Sequence, residues 1–475
     1  MPDKYFDILL PIATDGVYTY KSQHDLLPGQ RVQVPLGKRS AVGICLNEVP
    51  KPDFKCRETE DPLDEKPLFP QLWLDLVKRI SDYYVAPMGT TLHGIISQKM
   101  LSSLPPEKVY ELKRTDEKAI TLSPEQKAIT DSISMDGYSA HLVQGITGSG
   151  KTELYLELIK KAINAGKQAV YLVPEISLTP QLVERLEKRL GFKPLVFHSK
   201  LTDKRRNEAF WAFTRGEHPL LLGARSALFV PSTKLGLIIV DEEHESTFKQ
   251  EEMPSYHLRD MAVLYANLNQ IPIILGSATP QTESVENARS GKYTIHYLHE
   301  RHGNAVLPSI KLVDMKKEPL VGDVLAESVY DKLYQIVQEG KQAIIFLNRK
   351  GYATSLFCKR CGKIHECINC SVPLTMYKSS GRSSCHYCGT EYYKLQCPEF
   401  GCEEIFDAGA GTERVEEFLE QMFPEDIVRI DAGKINTFKQ PDTALAAFYN
   451  KEAQTPVVPQ LIATALHFPD VTASA

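Results

Sequence analysis

The sequence predicts an α/β chain built on doubly wound parallel sheets, with a β-rich module in front and a cysteine-rich insertion behind. Three observations carry that expectation. From Leu122 onward, short apolar runs alternate with amphipathic helical segments, the pattern of strand–helix–strand units that close on a parallel sheet. The string Gly145-Ile-Thr-Gly-Ser-Gly-Lys-Thr152 follows one such run, where a strand turns into a helix. Eight of the ten cysteines crowd between Cys358 and Cys402.

Residues 1–105 begin with β-like stretches such as Lys4-Tyr-Phe-Asp-Ile-Leu-Leu10, Val17-Tyr-Thr-Tyr20, Gln30-Arg-Val-Gln-Val-Pro35 and Ala41-Val-Gly-Ile-Cys45. Leu27-Pro-Gly-Gln30 and Pro35-Leu-Gly-Lys38 supply turns between them. A helix is predicted from about Pro70 to Tyr84, with Leu72, Leu76, Ile80 and Tyr83 on one face. Residues 106–121, which follow Pro105 and open on Pro106, are highly charged and read as a linker. Residues 122–300 form a first βα lobe. Its strands are predicted at Ser139–Gln144, Ala169–Pro174, Pro194–His198, Leu220–Gly223, Leu237–Asp241 and Pro272–Gly276, with helices at Leu154–Ala165 and Thr179–Leu190. Residues 301–475 resume the βα series, with Gln342-Ala-Ile-Ile-Phe-Leu347 as its first clear strand. The cysteine segment, 358–402, interrupts that series.

At 475 residues, with 43% hydrophobic and 24% charged residues, the chain is long enough for several cores and has ordinary soluble composition. Its start is charged rather than signal-like, and no apolar run approaches membrane-spanning length, so a cytoplasmic location is expected. The net charge of −5 excludes a surface that is basic throughout; any nucleic-acid contact must come from local Lys/Arg patches.

The string at 145–152 is a phosphate loop. Gly145, Ile146, Thr147, Gly148, Ser149 and Gly150 bring backbone N–H groups around a β-phosphate. Lys151 reaches the β and γ oxygens, and the Thr152 hydroxyl ligates Mg²⁺. Ninety positions after Lys151 comes Asp241-Glu-Glu-His244, at the end of the apolar run Leu235–Val240. A buried parallel strand delivers such an acidic pair to the edge where open α/β sheets bind ligands. Asp241 is then the candidate Mg²⁺ ligand through water, and Glu242 the group that polarises the attacking water. ATP and Mg²⁺ are the ligands implied. Gly276-Ser-Ala-Thr-Pro280, Pro174–Pro180 and Gly223–Phe229 end other strands. Each string alone is as well read as ordinary loop; in this order they match superfamily 2 helicases.

Cys358/Cys361, Cys367/Cys370 and Cys385/Cys388 are CxxC knuckles, and Cys397/Cys402 is a wider pair. Eight thiolates supply two tetrahedral zinc sites without an open position, and four pairs in one segment argue against redox chemistry. Residues 341–402 carry nine Lys/Arg against three Glu. With thiolates and two zinc ions counted, the segment stays slightly positive and suits DNA or a partner protein.

Through these motifs taken together, the chain resembles the primosomal protein N′ family of replication-restart helicases. The closest strings are 145–152, Leu172–Pro180, Asp241–His244 with Phe248-Lys-Gln250, Pro254-Ser-Tyr-His257, Phe346–Tyr352 and Gly411–Glu417. The resemblance implies two RecA-like helicase lobes, the second of them incomplete here, and an ATP-dependent 3′→5′ DNA helicase that restarts replication at stalled or repaired forks. It implies nested zinc ligation, with Cys358, Cys361, Cys397 and Cys402 on one ion and Cys367, Cys370, Cys385 and Cys388 on the other. It also implies an aromatic-rich loop coupling DNA to ATP turnover, with Phe248, Tyr256 and His257 as the coupling groups. Aromatics there either stack on bases, each worth about 1–3 kcal/mol, or pack beneath the loop. Partners implied are branched and single-stranded DNA, other primosome proteins and single-stranded-DNA-binding protein, with no membrane.

In the N-terminal module, the resemblance points to a pocket for a 3′ DNA end formed by Tyr18, Tyr20, Arg31, Gly37, Lys38 and Arg39; Thr19 stands where the family has an acidic residue. Ser255 likewise replaces an arginine. The family's winged helix has no counterpart between Pro106 and Leu122. The segment Ile462–Thr472 is about seven residues shorter than the family's second-lobe motif, and the family's arginine-rich motif lies beyond Ala475. Impaired unwinding is therefore expected, and the alternative is a non-motor module that binds ATP, zinc and DNA and recruits primosome proteins.

Overall fold

The structure, a computed structural model, describes residues 4–110, 122–300, 309–315, 317–322, 324–347, 355–358, 361, 363–377, 382–393, 395–397, 399, 401, 405–408, 417–419, 421–422, 427–429, 455–459 and 471–474. The chain divides into two compact units, Met1–Leu307 and Pro308–Ala475.

In the first unit, β1 (Lys4–Leu9), β2 (Val17–Ser22), β3 (Arg31–Leu36) and β4 (Arg39–Val49) form an antiparallel sheet in the order β2-β1-β4-β3. Alternation along the strands gives the sheet two apolar faces. Phe6, Ile8, Tyr20, Val32 and Val34 fill a small core on one side. Leu9, Val42 and Ile44 join a larger core on the other, which also holds residues of the βα lobe. Three helices follow: α1 (Gln71–Tyr83), α2 (Met88–Ile95) and α3 (Gln98–Ser102). The face predicted for α1 needs correction. Leu76 and Ile80 are buried, but Leu72 and Tyr83 are exposed, at 40% and 76%. The buried stripe is centred instead on Trp73, Leu74 and Val77, because the indole docks into the βα lobe and donates from Nε1 to the Phe229 carbonyl at 2.8 Å.

Arg31 is also corrected. Its guanidinium is buried rather than offered to a phosphate. It pairs with Asp64 at 2.7 Å, donates to the Leu101 carbonyl at 2.7 Å, and lies 4.7 Å from the centre of the Trp211 ring. Removing one partner of a buried ion pair leaves the other charge uncompensated, at a cost of about 3–5 kcal/mol. Asp64→Ala is accordingly expected to lower the stability of the first unit by about that amount, read from urea melts. A loss below about 1 kcal/mol would show that solvent reaches the pair.

The βα lobe is a seven-stranded, wholly parallel sheet. Its elements are α4 (Pro124–Ser132), β5 (Ser139–Gly145), α5 (Lys151–Asn164), β6 (Gln168–Leu172), α6 (Pro180–Leu190), β7 (Leu195–Phe197), α7 (Asp203–Thr214), β8 (Leu220–Gly223), β9 (Leu235–Asp241), α8 (Leu258–Asn269), β10 (Pro272–Ser277), α9 (Thr282–Arg289) and β11 (Thr294–Leu298). The strand order is β11-β5-β10-β9-β6-β8-β7. Helix starts are fixed locally: Ser123 and Gln126 form a capping box, and Thr179 and Thr202 cap α6 and α7. The chain reaches β6 before it returns to lay β9 and β10 between β5 and β6. The loops after β5, β9 and β10 therefore emerge side by side at one end of the sheet, where ligands bind in this architecture.

In the second unit, the hairpin β12 (Leu320–Val321) and β13 (Leu325–Ala326) precedes α10 (Glu327–Gln338) and β14 (Gln342–Leu347). Two small antiparallel groups follow. One pairs β15 (Ser355–Cys358) with β19 (Ile405–Ala408); the other joins β16 (Thr375–Tyr377), β17 (Arg382–Ser384) and β18 (Glu391–Tyr392). Then β20 (Ile427–Arg429), β21 (Thr455–Pro459) and β22 (Val471–Ser474) complete a parallel sheet in the order β20-β21-β14-β22. The cysteine segment is thus an insertion into a parallel sheet. Asn348–Tyr352, Gly411–Arg414 and Ile462–Asp470, within strings that the sequence singled out, lie outside the described residues. Among the described residues, no helix is long and apolar enough to cross a membrane.

Candidate functional site

The glycine-rich string 145–152 joins β5 to α5. Gly148 and Gly150 have φ of +82° and +79°, a conformation open to glycine at little cost. A Cβ on Gly145 would press against Ser149 and Lys151, and one on Gly150 would collide with the Gln126 amide. The Ser149 hydroxyl is buried and has no hydrogen-bond partner, an orphan that a phosphate oxygen would satisfy. Lys151, 9% exposed, donates from Nζ to the Gly145 carbonyl at 3.0 Å and lies 3.9 Å from a Glu242 oxygen. A buried cation among glycines at the start of a helix fits a nucleotide's phosphates. Gln126 was missed in the sequence. Its amide donates to the Ser149 and Gly150 carbonyls at 3.1 and 3.2 Å, holding the loop from α4. The Ser-x-x-Gln capping box was the signal that could have found it.

Asp241 ends β9 beside the loop, as the strand order requires. Burial pushes its carboxyl above the ordinary range; Lys151 and the hydroxyls of Tyr155 and Tyr171 pull against that. Burial, then the neighbouring Asp241, push Glu242 up to about 7, again opposed by Lys151. Glu242 has φ of +47°, a strained setting for a long side chain, of the kind that clusters at functional sites. The rest of the box ties it to its neighbours. Glu243 is fully buried and accepts from Gln281 N at 2.8 Å, the Ser284 hydroxyl at 2.9 Å and Arg259 at 3.3 Å. His244 Nδ1 and the Ser277 hydroxyl share a hydrogen bond of 2.7 Å, joining the acidic box to Gly276-Ser-Ala-Thr279.

The loop from Glu245 to His257 leads back into α8. Phe248 and Tyr256 are 1% and 7% exposed, and Tyr256 packs edge-on against Phe229 at 5.0 Å. The stacking role proposed for these two is therefore corrected: they pack beneath the loop, the alternative left open by the sequence. His257 is half-buried at the start of α8. Its backbone N–H donates to the Tyr84 hydroxyl at 3.2 Å, its Nδ1 is buried without a partner, and burial lowers its pKa. Arg225 reaches the Lys249 carbonyl at 2.6 Å, and Lys249 lies over the Tyr84 ring. The loop is thus pinned both to the βα lobe and to Tyr84 at the end of α1.

On the N-terminal sheet, Tyr18 is 39% exposed, whereas Tyr20 is buried with its hydroxyl donating to the Pro35 carbonyl at 3.1 Å. Gly37 and Lys38 form the exposed turn between β3 and β4, and Arg39 is the exposed first residue of β4; a Cβ on Gly37 would meet open space. Arg57, which the sequence did not single out, donates to the Gly37 carbonyl at 2.6 Å and adds a third cation there. Thr19 donates across the strands to Asp7 at 2.7 Å, so a carboxylate stands beside it after all.

The knuckles bring Cys367, Cys370, Cys385 and Cys388 together, and Cys358 and Cys361 with Cys397, all sulfurs within each group lying within 4.8 Å. Cys402 lies outside the described residues. Sulfur separations of 3.5 Å (Cys361–Cys397) and 3.6 Å (Cys367–Cys388) are too long for disulfides. They suit thiolates around a tetrahedral Zn²⁺, for which a Zn–S bond of about 2.3 Å puts sulfurs roughly 3.8 Å apart. The Tyr392 hydroxyl donates to Cys367 at 3.3 Å, an outer contact that would orient this thiolate toward a metal ion. His365 is buried but belongs to neither group, and His386 is exposed.

Three family models match the chain: a 3′ DNA-binding domain (3′BD) of PriA over residues 7–97, a DEAD/DEAH box helicase over 123–288, and the PriA DNA helicase Cys-rich region (CRR) domain over 367–391. The replication restart protein PriA of Bacillus subtilis is 39% identical over 77% of this chain and 46% of its own length. That of Haemophilus influenzae is 30% identical over 99% of this chain and 76% of its own. The latter alignment runs over 553 positions, more than the 475 here, so that relative carries residues without a counterpart in this chain. A solved structure of RecG bound to a three-way DNA junction superposes with a TM-score of 0.45 at 17% identity, over 85% of this chain and 44% of that one. The chain thus spans about half the length of the first of these relatives and three quarters of the second.

Proposed function

The chain belongs to the replication restart protein PriA family of DNA helicases, and on that premise we propose that it binds forked DNA and couples ATP binding and hydrolysis to 3′→5′ movement along a strand. The observation that carries the proposal is the meeting of Lys151, Asp241 and Glu242 at one end of the parallel sheet, joined through His244 and Ser277 to the neighbouring strand. Lys151 with the 145–152 backbone holds the phosphates, and Asp241 and Thr152 hold the cation. Mg²⁺, when bound, neutralises charge developing on the transferred phosphoryl group. Glu242, close to neutrality in its pKa, is suited to take a proton from attacking water. Tyr18, Lys38, Arg39 and Arg57 offer one stacking face and three cations to a DNA 3′ end. Two zinc ions rigidify the knuckles, with Cys402 as the eighth ligand. Other primosome proteins and single-stranded-DNA-binding protein are the partners proposed, and the cytoplasm the location.

Anisotropy of a labelled, 3′-tailed DNA duplex tests the proposal. Affinity is expected to fall as salt rises, because contacts come from local cations on a net-acidic chain. Mg·ATP is expected to shift that affinity several-fold in the wild type and not in Lys151→Ala, since linkage makes coupling between the two ligands reciprocal. Equal DNA affinity with and without nucleotide would overturn the motor reading and leave a non-motor binding module.

A further inference from the structure

Tyr155 and Tyr171 are 0% and 1% exposed, yet each ends in a hydroxyl turned toward the same carboxylate. Tyr155 donates to Asp241 Oδ1 at 3.1 Å and Tyr171 to Oδ2 at 3.2 Å; the Glu242 backbone N–H adds a bond to Oδ1, also at 3.1 Å. A carboxylate offers about four acceptor directions. Three are taken by these donors, and what remains is on Oδ2. The two phenols come from different elements. Tyr155 lies one turn beyond Lys151 on α5, so both side chains share a face of the helix that begins at the phosphate loop. Tyr171 lies on β6, which pairs with β9, and the two rings meet edge to face at 5.7 Å. A Cβ on Gly276 would overlap the Tyr155 hydroxyl. The glycine of Gly276-Ser-Ala-Thr279 therefore vacates the space that the phenol occupies. Phenylalanines would fill the same core without placing polar atoms there, so the hydroxyls themselves need explaining.

We propose that Tyr155 and Tyr171 are positioning residues that clamp the Asp241 carboxylate from both oxygens, fixing the orientation in which it receives the hydrated divalent cation of a bound nucleotide. The torsion that turns an aspartate's carboxylate is soft, with a broad range of allowed angles. A donor on each oxygen removes that freedom before the cation arrives. Outer partners of metal-ligating groups typically govern affinity by 10–100-fold. This inference rests on the nucleotide-site reading proposed above.

The test titrates Mg²⁺ into the full chain with a fluorescent ATP analogue, for the wild type, Tyr155→Phe, Tyr171→Phe, the double variant and Asp241→Asn. The Mg²⁺ concentration for half-maximal response is expected to rise about tenfold or more in the double variant. Analogue binding in EDTA and the circular-dichroism melt are expected to stay near wild type, which a merely structural role would not produce. Asp241→Asn is expected to lose the Mg²⁺ response. A folded double variant with wild-type Mg²⁺ dependence overturns the clamp while leaving the nucleotide site standing. A wild type with no Mg²⁺-dependent binding, or an Asp241→Asn chain that keeps it, overturns the nucleotide-site reading and the clamp with it. If the double variant does not fold, Tyr171→Phe alone decides by the same criterion.

Discussion

Lys151→Ala is expected to weaken nucleotide binding by about a hundredfold or more while the parallel sheet stays folded. The ammonium is nine-tenths buried, and its present partners, the Gly145 carbonyl and a Glu242 oxygen, are what phosphate oxygens would replace. Two charge-assisted bonds to phosphate, each worth about 1.5–3 kcal/mol, account for a loss of that size. Removing the cation also leaves Asp241 and Glu242 without the positive charge that opposes their burial, so both carboxyls should move further up in pKa. Titration of a fluorescent ATP analogue reads the affinity, and a thermal melt reads the fold. Undiminished affinity in Lys151→Ala would remove the phosphate-loop assignment. Lys151→Arg, which keeps the charge but not its shape, should fall between the two.

Zinc removal is expected to unfold the segment 358–402 and leave the first unit intact. The apolar core of the knuckles is small: among the described residues, Leu356 and Leu374 are the buried aliphatic side chains packed with Cys367 and Cys385. So small a core cannot hold a fold alone, whereas structural zinc contributes about 10–16 kcal/mol in comparable peptides. The first unit draws instead on two large cores and no cysteine cluster among its described residues. Metal analysis should return two zinc ions per chain, falling to one in Cys402→Ser. Chelation should raise amide exchange within 358–402 while β5, β9 and β10 stay protected. One ion in the wild type, or exchange rising equally in both units, would count against two structural sites.

The strands that were legible in the sequence are those buried on both faces. Leu235–Asp241 and Pro272–Ser277 read as continuous apolar runs because the sheet is covered on both sides. Helix α7 went unseen because Ala209 to Thr214 are all buried, which leaves no polar stripe to mark a period. Strand β11, Thr294–Leu298, was hidden for the opposite reason: on the edge of the sheet only Leu298 is buried, and two of its five residues are His and Tyr. In the candidate site, the phosphate loop and acidic box were readable because their residues are contiguous. Tyr155 and Tyr171 meet Asp241 across 86 and 70 positions, and Arg57 meets Gly37 across 20; such contacts exist only after folding. Phe248 and Tyr256 show the converse limit, since composition alone does not tell a ring that stacks on a base from one that packs under its own loop.

The joint between the N-terminal sheet and the nucleotide lobe has a mechanical meaning. Trp73 is plugged into the lobe at Phe229, and Arg31 is bolted between Asp64, Leu101 and Trp211. Among the described residues, these attachments tie the sheet and its helices directly to the lobe that carries Lys151. A strand end held by that sheet would be held by the nucleotide lobe itself, as by a clamp welded to an engine block. A DNA end and a nucleotide so held would share one compact unit, so that a pull on the one would be felt at the other.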